Sequence, residues 1–212
     1  MELSGLYIVV NPKQEETVLI KKLEVALKEG VAAVQLYNGW LTHFSHQNKV
    51  ELTSKINTLC KNYDTPFFIN NEWELLKEVD MDGVHFDQLP ENWLKKKTSI
   101  GRPVLIGLTM TNDLTVLENV KALEIDYLSF CAMFPSASVG DCEIVDPKNV
   151  EETLQRVNIP VFISGGITPE KMHHFENIPI NGVAVISGVM NSESPAEAIE
   201  AYKTELSKIK KL

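Results

Sequence analysis

The run Pro160-Val-Phe-Ile-Ser-Gly-Gly-Ile-Thr168, followed by Gly182-Val-Ala-Val-Ile-Ser-Gly188, decides how this chain reads. Each stretch is a short apolar strand that breaks into small residues and then starts a helix. Gly165 and Gly166 have no side chains, so their backbone N–H groups can lie close to a ligand. Ser187 and Gly188 offer the same at the next turn, where a helix N-terminus favours an anion. Two such turns at the last two strands of a (β/α)8 barrel form a recurrent phosphate site. Gly165, Gly166, Ile186, Ser187 and Gly188 are therefore the phosphate-binding candidates, and a phosphorylated small molecule is the expected ligand.

Working outward, strand-like and helix-like segments alternate from end to end. Strands are expected at about residues 6–10, 32–36, 66–69, 83–86, 104–108, 127–130, 161–163 and 183–185. Helices are expected at about 15–29, 45–63, 72–79, 90–97, 114–122, 149–157, 169–176 and 195–209. Ser194 is the expected N-cap of the last helix, with Pro195 in its first turn. A long loop fills Cys131 to Pro147. Eight β–α units in 212 residues approach the smallest length a barrel can occupy. Continuous apolar strands also suit a parallel sheet buried on both faces. The expected fold is α/β, a single-domain (β/α)8 TIM barrel over residues 1–212. An open doubly wound sheet is the alternative.

Composition narrows the function classes. The net charge is −9, and the basic runs Lys95-Lys96-Lys97 and Lys208 to Lys211 are short, so they read as solvated helix surface. Nucleic-acid binding is not expected. Cys60, Cys131 and Cys142 are odd in number without CxxC spacing, which argues for a reducing compartment and against a disulfide framework. No signal peptide or membrane span is read, and a cytoplasmic location is expected. Apolar residues in the late helices would allow a homodimer.

In a barrel, chemistry sits at the C-terminal ends of the strands. Here those ends are Val10-Asn11, Gln35-Leu36-Tyr37, Asn70-Asn71, His85-Phe86-Asp87-Gln88, Thr109, Cys131 to Asp141 and the two glycine-rich turns. The set is polar, mostly uncharged and poor in cations. His85 is either a ligand-facing group, with a reference pKa suited to proton transfer, or a satisfied polar residue without an orienting partner. Asp87 and Asp141 either replace lost metal ligands or, the preferred reading, are surface or loop-capping residues. Trp40 and Phe44 either close over an aromatic ligand or pack in the core. His43 and His46 beside them lack a third metal ligand and read as part of a partly packed lid. His173 and His174 read as surface, and Cys131 as small apolar filler.

In order and spacing, the pieces Gly5-Leu-Tyr-Ile-Val-Val10, Gly30-Val-Ala-Ala-Val-Gln-Leu36, Pro66-Phe-Phe-Ile-Asn-Asn71, Asp82-Gly-Val-His-Phe-Asp-Gln88, Ile106-Gly-Leu-Thr109, Phe134-Pro-Ser-Ala-Ser138 and the two phosphate turns resemble the thiamine-phosphate synthase family, which includes the thiazole tautomerases. The resemblance covers nearly the whole chain. It implies a (β/α)8 barrel that joins a pyrimidine pyrophosphate to a thiazole phosphate. The departing pyrophosphate would be held by magnesium and cations, because a leaving group that gathers negative charge must be neutralised.

By resemblance, Tyr7, Gln35, Asn70 and His85 line the pyrimidine side. Ser136 and Ser138 keep hydroxyls at the phosphate, and Thr109 keeps the hydroxyl of the family's serine near strand five. His85 and Thr109 are the catalytic candidates. The charged half of the family's pattern is replaced. Its arginine and lysine after Gln-Leu read Tyr37 and Gly39, and its lysine in the loop after strand six reads Val139. The two magnesium aspartates read Asn71 and Pro90, and the tautomerase histidine reads Thr111. No metal ligand is therefore assigned. Three functions are consistent with this pattern: a synthase-like transferase of thiamine biosynthesis, a non-catalytic or regulatory binder of a thiazole or thiamine phosphate, and a magnesium-independent isomerase.

Overall fold

A computed structural model describes residues 3–136 and 143–209. Eight strands alternate with helical segments. The strands are β1 (Gly5–Val10), β2 (Ala33–Leu36), β3 (Phe67–Asn70), β4 (Gly83–Phe86), β5 (Leu105–Met110), β6 (Tyr127–Phe130), β7 (Val161–Ser164) and β8 (Gly182–Val185). All are parallel to their neighbours, and β8 pairs back onto β1 with Tyr7 opposite Ala184. That pairing closes the sheet and excludes the open doubly wound alternative.

The α-helices are α1 (Glu16–Lys28), α2 (His46–Lys61), α3 (Trp93–Thr98), α4 (Pro147–Arg156), α5 (Ser187–Met190) and α6 (Pro195–Leu206). Ser45 caps α2 by accepting from the Asn48 N–H at 3.1 Å, which satisfies one of the first-turn donors. α4 starts two residues earlier than expected, because Asp146 accepts from the Lys148 N–H at 3.0 Å and Pro147 enters the first turn.

Several local expectations are corrected. The segments after β3, β5 and β7 are 3₁₀ turns, Trp73–Lys77, Thr115–Asn119 and Pro169–Phe175, not α-helices. Five to seven residues close so few bonds that the tighter i→i+3 pattern suffices. Ser194 precedes α6, but its side chain makes no cap hydrogen bond. The helix start read after β8 is the short α5, which is only four residues long.

The core has two parts, fixed by strand alternation. On β1, Leu6, Ile8 and Val10 face the helices, whereas Tyr7 and Val9 face the barrel interior. Inside, Tyr7, Phe68, Tyr127 and Phe162 pack ring against ring. Tyr7 and Phe162 are edge-on at 5.6 Å, and Phe68 and Tyr127 at 5.2 Å. Glycine makes room for these rings. A Cβ on Gly107 would lie 2.1 Å from the Tyr127 ring, and one on Gly182 would lie 2.7 Å from the Phe162 ring. The result is an aromatic floor that plugs the lower barrel and leaves the C-terminal end open.

Gly107→Ala should therefore destabilise the protein by about 2 kcal/mol or more, since an added methyl in a filled core forces strain. Chemical denaturation of the variant against wild type measures it.

Candidate active site at the barrel mouth

Above the floor lies a cavity of about 620 Å³. Most of its polar lining follows from the same alternation. Gln35 and Tyr37, His85 and Asp87, Thr109 and Thr111, and Ser129 and Cys131 line it in pairs two residues apart, the first on the strand and the second just past its end. Of the residues singled out in the sequence, Gln35, Asn70, His85, Thr109, Ser136, Gly165, Gly166, Ile186, Ser187 and Gly188 all line this cavity. Tyr7 does not. It is 1% exposed within the aromatic floor, and its hydroxyl bonds the cavity-lining Gln35. Ser138, Val139 and Asp141 lie outside the described residues.

The buried polar groups form one continuous chain of hydrogen bonds. The Tyr7 hydroxyl donates to Gln35 Oε1 at 3.1 Å and pairs with the Tyr127 hydroxyl at 2.8 Å. Tyr127 pairs with His85 Nδ1 at 3.0 Å, and His85 Nε2 pairs with Thr109 Oγ1 at 2.9 Å. Because Tyr7 gives its proton to Gln35, it accepts from Tyr127, which in turn accepts from His85 Nδ1–H. Nε2 is then the acceptor for the Thr109 hydroxyl. This chain supplies the orienting partners for His85 that the sequence did not reveal. It also corrects the expectation of a histidine titrating near neutrality. Burial pushes the His85 pKa down to about 4, against a smaller opposing pull from Asp87. Burial likewise raises both phenols well above their ordinary value. The whole chain is uncharged at neutral pH.

Next to it, the ends of β3 and β4 are locked together. Asn71, in the left-handed region at φ 59°, donates from Nδ2 to Asp87 Oδ2 at 2.7 Å and accepts from the Asp87 N–H at 2.9 Å. Asn70 Nδ2 donates to Asp87 Oδ1 and to the His85 carbonyl, each at 3.2 Å. Asp87 is exposed, as its surface or loop-capping reading expects, and it also lines the cavity. Its inward parity with His85 was the available signal.

These contacts decide whether the site suits magnesium. By resemblance its ligands would be Asn71 and Pro90. The Asn71 side chain is a neutral amide bonded at both ends to Asp87, and Pro90 has no side-chain atom that could bind a metal. Among the described residues no group of three His, Cys, Asp or Glu side chains converges to hold a metal. The residues present do not fit the ion.

The opposite side of the mouth is built from three packed turns. Phe134 N–H donates to the Gly165 carbonyl at 3.0 Å, and Met133 N–H to the Ser164 carbonyl at 2.9 Å. Gly166 has φ 67°, and a Cβ there would lie 2.6 Å from the Phe134 carbonyl oxygen, so only glycine fits. Tyr202 from α6 ties the last two turns together. It is buried, its hydroxyl donates to the Ile167 carbonyl at 2.8 Å, and a Cβ on Gly188 would lie 2.2 Å from that hydroxyl.

Lys171 lines the same end. Its ammonium donates to the Gly166 carbonyl at 2.9 Å and sits 4.8 Å from the Phe134 ring centroid. It is the only Lys or Arg among the described cavity-lining residues. The sequence reading missed it, although it is a cation five residues beyond Gly166. The Ser136 hydroxyl is buried with no hydrogen-bond partner among the described residues.

Other candidates resolve as packing or surface. Trp40 and Phe44 pack against the outer core 5.5 Å apart and do not line the cavity. His43 lies against Phe44, and His46 pairs with Glu78 at 2.7 Å. His173 and His174 are exposed, and Cys131 is half-buried in the cavity wall.

Residues 6–189 match the model of the thiamine monophosphate synthase family. The chain belongs to that family. It is 29% identical over 196 residues to a thiamine-phosphate synthase of Methanobrevibacter smithii, covering 92% of each chain. It is 28% identical over 211 residues to one of Picrophilus torridus, covering 99% of this chain and 100% of the other. Its fold resembles the thiamine phosphate pyrophosphorylase of Pyrococcus furiosus with a TM-score of 0.80 at 23% identity, over 98% of both chains. Among the described residues no helix is long and apolar enough to cross a membrane.

The His85 shift has a stability consequence. Its folded pKa lies below the unfolded value, so its contribution is complete above about pH 6.5 and is lost as pH falls towards about 4. On the order of 3 kcal/mol of pH-dependent stability should come from this group. Denaturation of wild type and His85→Gln between pH 7.5 and 4 should show a shallower pH slope for the variant, whatever its stability at neutral pH.

Proposed function

We propose that this member of the thiamine monophosphate synthase family binds a phosphate monoester of a thiazole or thiamine-type heterocycle, without the magnesium–pyrophosphate step of a synthase. One observation carries the reading: only one end of the cavity has anion-binding chemistry. Gly165, Gly166, Ser187, Gly188, Lys171 and the Ser136 hydroxyl, unpartnered among the described residues, gather there. The rest of the lining presents two carboxylates, Asp87 and Glu143, with neutral amides and the Tyr37 ring.

A single phosphate fits this distribution. A bound pyrophosphate would face Asp87, without the charges that must stabilise it as it leaves. The relatives named synthases support thiamine-type ligands for this chain, and the replaced charges oppose synthase turnover. Geometry also favours holding a ligand over moving a proton with His85, since both ring nitrogens are already bonded and the ring is neutral. Tyr202, outside the cavity, acts by setting the two glycine turns at a fixed separation.

The test combines turnover and binding. With thiazole phosphate, pyrimidine pyrophosphate and magnesium, mass spectrometry should find no thiamine phosphate above the uncatalysed background. Calorimetry should show thiazole phosphate binding equally with magnesium or with EDTA. Robust magnesium-dependent product would overturn the reading.

In the same titration Lys171→Ala should weaken binding by about ten- to a hundredfold, the range for losing a charge-assisted contact. Tyr202→Phe should weaken it about fivefold, as expected for one lost neutral hydrogen bond acting through turn position.

A further inference from the structure

We propose that Lys22 and Gln14 are positioning residues for the anion-binding end of the cavity. They clamp the far end of α5 and so hold Ser187 and Gly188 in place for a phosphate group. This rests on the phosphate reading above and extends it to residues that do not line the cavity.

The first argument is the length of α5. Its four residues close too few hydrogen bonds to hold a helix on their own. Its place therefore comes from what surrounds it. Val189 and Met190 are buried, which fixes one side of it to the core. Ser187 and Gly188, at its start, are exposed and line the cavity. Tyr202 backs Gly188. The far end of α5 still needs partners, because the last carbonyls of a helix have none within it.

The second argument is what meets those carbonyls. Lys22, on α1, donates to the Met190 carbonyl at 3.0 Å and to the Ser192 carbonyl at 2.8 Å. Gln14, in the turn after β1, donates from Nε2 to the same Met190 carbonyl at 3.2 Å and to Asn191 Oδ1 at 3.0 Å. Lys22 is half-buried and among the described residues forms no ion pair, whereas Lys28 on the same helix pairs with Glu24 at 2.8 Å. The Lys22 charge is spent on the end of α5, where a cation is favoured.

The third argument is where the clamp comes from. β1 and β8 meet at the seam that closes the sheet, with Ile8 opposite Val185. Gln14 and Lys22 follow β1, and α5 follows β8. The first unit of the barrel thus sets the phosphate turn of the last. Only one helical turn lies between the clamp and the Ser187 and Gly188 N–H groups, so a shift of α5 moves those groups directly.

Calorimetry with inorganic phosphate, and amide hydrogen exchange at Gly188, test this in Lys22→Met, Lys22→Arg and Lys203→Met. Lys203 is the control. It lies on α6 and donates to the Glu29 carbonyl at the end of α1. Its loss removes a lysine–carbonyl bond near the same seam without removing a bond to α5. Lys22→Met should weaken inorganic phosphate binding about tenfold, the scale of one charge-assisted contact, and speed exchange of the Gly188 N–H. Lys22→Arg still carries donors for both carbonyls and should restore both readouts. Lys203→Met should change neither, whatever its effect on the urea midpoint. Should Lys22→Met fail to fold, Gln14→Leu, which removes only neutral bonds, should show the same pattern at about threefold. Wild-type affinity and exchange in Lys22→Met, or an equal loss of affinity in Lys203→Met, would overturn the inference and leave the phosphate reading standing. Failure of both thiazole phosphate and inorganic phosphate to bind wild type would instead overturn the phosphate reading, and this inference with it.

Discussion

Closure of the sheet is the constraint on which the molecule depends. Once β8 pairs with β1, every second residue of every strand faces a small interior. The lower half must be filled, and Phe68, Phe162, Tyr7 and Tyr127 fill it. Two of these rings carry hydroxyls into a dry space where an unpaired polar group is costly. Each hydroxyl finds the other, and the pair must pass its hydrogen bonds upward to Gln35 and His85. The floor of the barrel thus determines the protonation and orientation of the histidine above it. Replacing either tyrosine by phenylalanine would keep the packing and break the chain that holds His85 in one tautomer. Core and site are one structure, and their border runs between Tyr127 and Thr109.

The legible part of the sequence was the part with strong periodic contrast. Runs such as Val161 to Ile163, ended by Ser-Gly-Gly, mark both the strand and the turn, so eight units and their order could be read directly. The 3₁₀ turns could not be, because Trp73–Lys77 spans only five residues. Over so short a stretch the apolar spacing does not separate i→i+3 from i→i+4 bonding. The start of α5 was legible in the small residues Ser187-Gly188 after β8, but its four-residue length was not.

At the site, inward parity was visible in the sequence but depth was not. Tyr7 and Gln35 both face inward, yet strand stagger buries the first in the floor and leaves the second at the cavity. Asp87 shares the parity of His85 and was within reach of the same reasoning. Lys171 was harder to read, because its place depends on the 3₁₀ turn folding back until the ammonium reaches the Gly166 carbonyl.

The replaced charges around the mouth are not independent of one another. Asn71 stands where the family resemblance implies a metal-binding aspartate, and its Nδ2 lies 2.7 Å from Asp87 Oδ2. An aspartate at position 71 would set two carboxylates against each other at that distance, and one could stay ionised only if the other were protonated or a cation came between them. With Asp87 present and no cation supplied by the described residues, the amide is the side chain that position 71 can tolerate. It donates where an aspartate would repel, and its own oxygen satisfies the Asp87 N–H. Asn71 and Asp87 therefore form a single device. It removes a carboxylate from one strand end, presents another at the next, and fixes that one by amides instead of by metal. The site that results holds a carboxylate at a defined place through the Asn70 and Asn71 amides. Among the described lining residues, Lys171 is the one Lys or Arg, and it stands at the glycine turns.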